Sequence, residues 1–286
     1  MKNSIKNQWL DTFDLLAKNP IIFTPFVVTA LFEAMAMLFL YYLPRNPLMY
    51  IFNPIISKLY GEVFTHYPGC MLMFTKFFFY ARMSIFIFIG AFMAAVAVNM
   101  FKAARLGHTV NTNTAFKNAS KRYVSLLGYG VIAAVIVMLI KRVDFFILRG
   151  LFSLVLGHAP GTAAEWFSLV TQIFFFLSVI VFQVFFVATI PIIVLKNKRL
   201  FKAVMESVYL GARNFFGIFA LIFLPYLIYL PLALVRSTPL KLIEMTFPEI
   251  NMIISVIDVL VAIVIDCFII IGVSRFLLEE TGGNKI

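Results

Sequence analysis

Three acidic residues, Glu33, Asp258 and Asp266, fall inside long apolar runs of this sequence. Ionised carboxylates are expensive in hydrocarbon, so a functional site is the first hypothesis for each. Eight residues separate the two aspartates, about 80° of rotation on a helix, so both can line one broad face. Gln172 and Gln183 in a fourth apolar run complete a candidate intramembrane polar site. Asn99 at the end of the second run and Arg82 near its start are able to join it. The chemistry open to such a set is the binding and transfer of a proton, an ion or a small solute. The plainer alternative is packing, with each acid protonated and hydrogen-bonded to a glutamine or a backbone carbonyl.

No other chemistry assembles. His66, His108 and His158 are scattered and no H-E-x-x-H occurs, so a zincin-type site lacks its ligands. Cys70 and Cys267 have no metal-site spacing, and two cysteines placed in an outer loop and in the last apolar run make no disulfide framework. Gly128-Tyr129-Gly130 sits in an apolar run, where small residues allow close helix packing and do not cradle phosphate. Neither a Walker motif nor G-x-S-x-G is present. The expectation is a non-enzymatic protein with no cofactor and no metal.

The elements that must position these residues are set by composition. Of 286 residues, 62% are hydrophobic and 13% charged, and the mean hydropathy is +0.98. A soluble domain is about half apolar and about a quarter charged. This chain has too little polar surface to cover a water-soluble globule. Six runs reach the roughly 20 residues needed to cross a bilayer core. They lie at about 20–43, 78–100, 123–140, 166–194, 215–235 and 251–273. The third is short and extends to both sides; the fourth is long, with Pro191 as a natural break. Residues 145–157, with Arg149 among them, and 47–60, with Asn53, Pro54 and Lys58, are too short to cross and read as interfacial or re-entrant helices. The first run follows an amphipathic stretch and carries no A-x-A-like site, so no cleaved signal peptide is expected.

Charge sets the orientation. The N-terminus, the 101–122 and 195–214 loops and the C-terminus together hold Lys2, Lys6, Lys18, Lys102, Arg105, Lys117, Lys121, Arg122, Lys196, Lys198, Arg199, Lys202, Arg213, Arg275 and Lys285, the larger share of the 24 basic residues. That side is cytoplasmic by the positive-inside bias. The net charge of +11 therefore reads as topology and not as nucleic-acid binding, because the basic residues form no continuous stripe.

An amphipathic stretch precedes each odd-numbered run. Ile5, Trp9, Phe13 and Leu16 share one helical face in the first; Phe116, Ala119, Tyr123 and Leu126 in the second; Phe201, Val204, Met205 and Val208 in the third. Leu15, Ala17, Lys18 and Asn19 match Leu210, Ala212, Arg213 and Asn214 in order, while Ser120 and Gly130 echo Ser207 and Gly217. The fold expected is an all-α integral membrane protein. Its six transmembrane helices form three hairpins in a single domain over 1–286, each hairpin preceded by a cytoplasmic interfacial amphipathic helix. Lys117, Lys121, Arg122, Lys198, Arg199, Lys202 and Arg213 flank the apolar faces and are candidate contacts for anionic lipid headgroups. A membrane or cytoplasmic protein partner is the other use for such helices.

The stretch from Val187 to Leu224 resembles a large bacterial group of six-span proteins. The likeness is carried by Pro191, by Val194-Leu195-Lys196-Asn197-Lys198, by the Ala203, Ser207 and Leu210 helix and by Asn214-Phe215-Phe216, with a weaker echo at 102–130. That group includes the membrane-domain region of glycerophosphoryl diester phosphodiesterases and stand-alone relatives of unestablished role. The resemblance implies a six-span fold in the cytoplasmic membrane of a bacterium, with both termini inside. It transfers no catalytic residue, because in that phosphodiesterase the chemistry belongs to a separate soluble domain, and only about 13 residues follow the last run here.

Overall fold

The computed structural model describes residues 5–66, 69–156, 162–235 and 249–280, and all of the regular structure among them is helical. The amphipathic helix α1 (Ile5–Lys18) leads through a short 3-10 turn into α2 (Thr24–Tyr42). A short helix α3 (Met49–Tyr60) follows, then α4 (Gly69–Ile85), a π-helical segment (Phe86–Gly90) and α5 (Ala91–Arg105) in one path. Next come α6 (Thr112–Ser120) and α7 (Tyr123–Leu156), then α8 (Thr162–Phe186) and α9 (Thr189–Leu195). The chain continues through α10 (Leu200–Arg213), α11 (Phe215–Val235) and α12 (Ile250–Glu280). Five paths are individually long and apolar enough to cross a bilayer: Pro20–Tyr42, Gly69–Arg105, Tyr123–Gly150, Ile173–Leu195 and Ile250–Glu280. A sixth is counted if α10 and α11, which turn through 94° at Asn214, are taken together as one span.

The surface helices occur where the 3.6-residue periodicity puts them. Their apolar faces are divided: Leu16 and Ala119 are buried against the bundle, while Phe13 is 62% exposed, Phe116 48% and Phe201 76%. Tyr123 does not close the second surface helix; it begins α7. Asn19 and Asn214, the matched residues of the sequence repeat, end α1 and α10 in similar backbone conformations (φ −131°, ψ 66° and φ −119°, ψ 35°). Each amide bonds four residues back, to Leu15 at 3.0 Å and to Leu210 at 2.9 Å. The repeat also has a packing consequence. α6 sits on α5, α10 on α8 and α9, and α1 on α12, so each surface helix rests on the second long helix of the preceding unit and the first closes the ring. Trp9 and Phe13 stack on Phe268 of α12, with centroids 5.8 and 6.0 Å apart.

Several helix limits differ from the sequence expectation. The second long helix begins at Gly69, so Cys70 lies in its first turn and not in a loop; Cys70 and Cys267 are both free. Residues 145–156 are not a separate interfacial helix but the continuation of α7, which is 34 residues long. Lys141, Arg142 and Asp144 limit how deep that helix can sit, yet charge does not break a helix whose backbone bonds are all internal. The last helix runs to Glu280. The fourth breaks at Val187 and Ala188, just ahead of Pro191: the proline lacks an N–H and its ring crowds the carbonyl four residues back, that of Val187.

Carbonyls at the irregular points find side-chain donors. Ser207 Oγ donates to the Phe185 carbonyl at 2.7 Å and Tyr129 Oη to that of Phe186 at 3.3 Å. Tyr123 Oη donates to the Phe88 carbonyl in the π segment at 3.2 Å. A bilayer supplies no water for these groups, so such donors are what makes the irregular turns tolerable. Close approach at the same points depends on glycine. A Cβ on Gly211 would lie 2.6 Å from the Val184 oxygen, and one on Gly130 would lie 2.8 Å from Ile87 Cα.

Candidate intramembrane site

The packing that builds the site is tight at one end and open at the other. α5, α9 and α12 meet through Ala95, Ala97, Val98, Ile192, Ile193 and Ile271, all buried, and the small alanines let these helices approach closely. Further along the bundle, α2, α4, α11 and α12 surround a group of charged side chains. Arg82 on α4 is its centre. The helix begins nine residues earlier than the sequence suggests, so Arg82 lies well inside it, four residues before the π segment; such segments are frequent at functional positions.

Arg82 Nε donates to Glu33 Oε1 of α2 at 3.1 Å, and Arg82 Nη1 reaches Asp258 Oδ2 of α12 at 3.5 Å. Both acid side chains are nearly inaccessible, at 10% and 2%, while the Arg82 side chain as a whole keeps 30%. Two of the three sequence candidates are therefore brought together, from helices far apart in the chain. Asp266, two turns beyond Asp258, is close enough to Arg82, Glu33 and Tyr226 to interact electrostatically with them. It forms no hydrogen bond or ion pair among the described residues. Its chain neighbours Ile265 and Cys267 are buried, yet Asp266 itself is exposed. Of the three carboxyls, Asp266 is thus the accessible one, while Glu33 and Asp258 are buried.

Gln183 of α8 joins the edge of this group. Its Nε2 donates to Tyr226 Oη at 2.8 Å, and its Oε1 is buried with no partner among the described residues. Gln172 lies on the same helix, about three turns before Gln183, with its side chain outside the described portion. Asn99 does not take part; its Nδ2 bonds the Ala95 carbonyl of its own helix at 3.0 Å. Sequence reasoning missed the rings. Phe176, Tyr226 and Tyr229 pack against one another, with Tyr226 in electrostatic reach of Asp266, and their only sequence signal is spacing: 226 and 229 are one turn apart on α11, and 176 and 183 two turns apart on α8. It also missed a further buried acid, Asp144 of α7, to which Ser178 Oγ donates at 3.4 Å.

The basic candidates divide into free and engaged. Lys117, Lys121, Arg199 and Lys202 are exposed. Arg122 donates to Asn197 Oδ1 at 3.1 Å, Lys198 pairs with Glu206, and Arg213 faces Glu280 at 3.9 Å. Glu206 also receives Lys196 at 2.8 Å. Burial acts to raise the Glu206 carboxyl, but hydrogen bonds and charge from the two lysines outweigh it and hold the group below its ordinary range. No group of three or more histidine, cysteine or acidic residues able to hold a metal occurs among the described residues, which include His66 and His108; His158 lies outside them. Comparison with family models, with curated proteins and with solved structures finds no match to this chain.

Proposed function

We propose that this polytopic protein is a membrane transporter of a small solute or ion, with Asp266 as the exchanging group and Arg82, Glu33 and Asp258 as the fixed frame around it. The observation that carries the reading is the division of labour among the acids. Two carboxyls are held by Arg82 and closed off; the third has no hydrogen bond or ion pair among the described residues and is accessible. Three carboxyls facing one guanidinium leave an excess of negative charge when all are ionised, and a low-dielectric interior tolerates that only with a bound proton or a bound cation. A packing role alone gives no reason to leave Asp266 accessible and outside the ion pairs that hold the other two acids. Uptake into liposomes containing the purified protein tests the reading. Accumulation of a labelled solute, or of protons reported by an internal dye, is expected with the wild type and lost in Asp266→Asn. Uptake that Asp266→Asn leaves unchanged overturns it.

The same proposal places the chain in the bacterial cytoplasmic membrane, with both termini inside, among the six-span group it resembles. A second reading concerns the surface helices. The exposed Phe201 and Met205 of α10 lie beside Lys202, and Phe116 of α6 beside Lys117. This pairing of apolar and basic side chains suits a leaflet of anionic lipid. Stability that rises when anionic lipid replaces neutral lipid in the bilayer supports it, and equal stability in the two counts against it.

A further inference from the structure

Aromatic rings stand at the edge of the proposed site, within electrostatic reach of Arg82, and their geometry names a ligand class. Phe176 of α8 and Tyr229 of α11 lie nearly parallel, with centroids 6.3 Å apart and planes at 12°. Tyr226 stands perpendicular to both, 5.7 Å from Phe176 at 88° and 6.5 Å from Tyr229 at 89°. The three rings make a corner, and each is partly accessible. Gln183 holds Tyr226 by its hydroxyl, so the ring that meets Asp266 electrostatically is fixed in orientation.

An anion beside aromatic faces is a selective combination. Ring faces carry negative quadrupole density and attract a cation, most effectively one that is weakly hydrated. A hydrated alkali ion has little to gain from ring faces, which carry no oxygen to replace its water. An organic ammonium does gain, since its methyl or methylene groups pack on the rings while its charge faces the carboxylate. Arg82 acts on Asp266 only at a distance: its guanidinium pairs with Glu33 and Asp258, and it makes no ion pair with Asp266 among the described residues.

We propose that the corner of Phe176, Tyr226 and Tyr229, with the Asp266 carboxylate, binds an organic ammonium cation. This deepens the transport reading and rests on it for the step of translocation, though not for binding. The test is equilibrium binding of labelled choline to the purified protein in detergent. Its uncharged tert-butyl analogue, in which carbon replaces nitrogen, serves as competitor. Saturable choline binding is expected, with the analogue weaker by about tenfold or more. Asp266→Asn and Phe176→Leu are each expected to weaken choline by a similar factor. Equal competition by the neutral analogue, no saturable binding by the wild type, or unchanged binding in a monodisperse Asp266→Asn or Phe176→Leu protein overturns the proposal. The analogue comparison uses the wild type and stands whether or not the variants fold. The two readings separate cleanly: choline binding without uptake removes transport and keeps the site, while Asp266-dependent proton uptake without choline binding keeps transport and removes this ligand.

Discussion

Arg82 and Glu33 are 49 positions apart in the chain and 3.1 Å apart inside the bundle. Through this contact and the one to Asp258, a single guanidinium joins α4 to both α2 and α12. The first long helix and the last are thus tied through the second, across a region where the described side chains are otherwise mostly apolar.

Removing that guanidinium strands two enclosed carboxyls. Breaking a buried pair costs about 3–5 kcal/mol, and the partial accessibility of Arg82 places Arg82→Leu toward the lower end. Combining it with Glu33→Gln and Asp258→Asn is expected to restore most of the loss, because no unpaired charge remains. Thermal unfolding of the purified proteins in detergent reads both effects. A triple variant no better than Arg82→Leu would show that the guanidinium stabilises by packing and not by charge.

Gly211 sets how closely α10 approaches α8. An added Cβ meets the Val184 oxygen at 2.6 Å and Phe185 Cα at 2.9 Å, backbone atoms that cannot rotate away. Gly211→Ala is expected to cost about 1–3 kcal/mol, as overpacking does. Gly217→Ala, where nothing lies within 4 Å, serves as the control and should be near neutral. Equal melting shifts for the two would contradict the packing described.

The docking of α1 should depend on rings more than on charge. Asp11 of the Arg275 pair is half exposed, and exposed pairs contribute about 0–1 kcal/mol. Phe268 carries stacking contacts to both Trp9 and Phe13. Limited proteolysis within residues 5–18 is expected to accelerate strongly in Phe268→Ala and little in Asp11→Asn. The reverse order would assign the docking to the ion pair.

Glu206 confers a pH dependence on the α10 region. Its folded carboxyl titrates below the unfolded value because Lys196 and Lys198 stabilise the anion. The folded state therefore gains from ionisation above the unfolded pKa of about 4.3, and the gain is lost as the pH falls through the lower, folded value. A spin label at Asn197 should gain mobility in that acidic window. Glu206→Gln should be mobile at neutral pH and show no further step.

Orientation is checked by labelling single cysteines after replacing Cys70 and Cys267. Cysteines at Asn113 and Asn197, both exposed beside surface helices, should react only once cells are permeabilised; one at the exposed Glu62 should react from outside. Labelling at Asn113 in sealed cells would invert the topology.

Much of the architecture is a local property and was therefore legible in the sequence. Run length fixes which segments can cross hydrocarbon, and a 3.6-residue apolar stripe fixes which lie along its surface. The repeat of Asn19 at Asn214 marked the corner that both chain segments make. The helix limits were less legible: Lys141, Arg142 and Arg149 change the polarity of α7 without breaking its hydrogen bonds, so hydropathy ended a helix that the backbone continues. The acids were visible because each is anomalous in its own run. Their relationship was not. Whether Arg82 meets Glu33, Asp258 or Asp266 depends on where three helices cross, and the pairs it chose span 49 and 176 positions. Phe176, Tyr226 and Tyr229 were invisible as a group, since 34 phenylalanines and 11 tyrosines give no single ring any distinction. Composition made the chain a helical membrane protein through the energetics of burying its backbone; only the packing of α2, α4, α8, α11 and α12 decided which acid is paired, which is open, and which rings stand beside it.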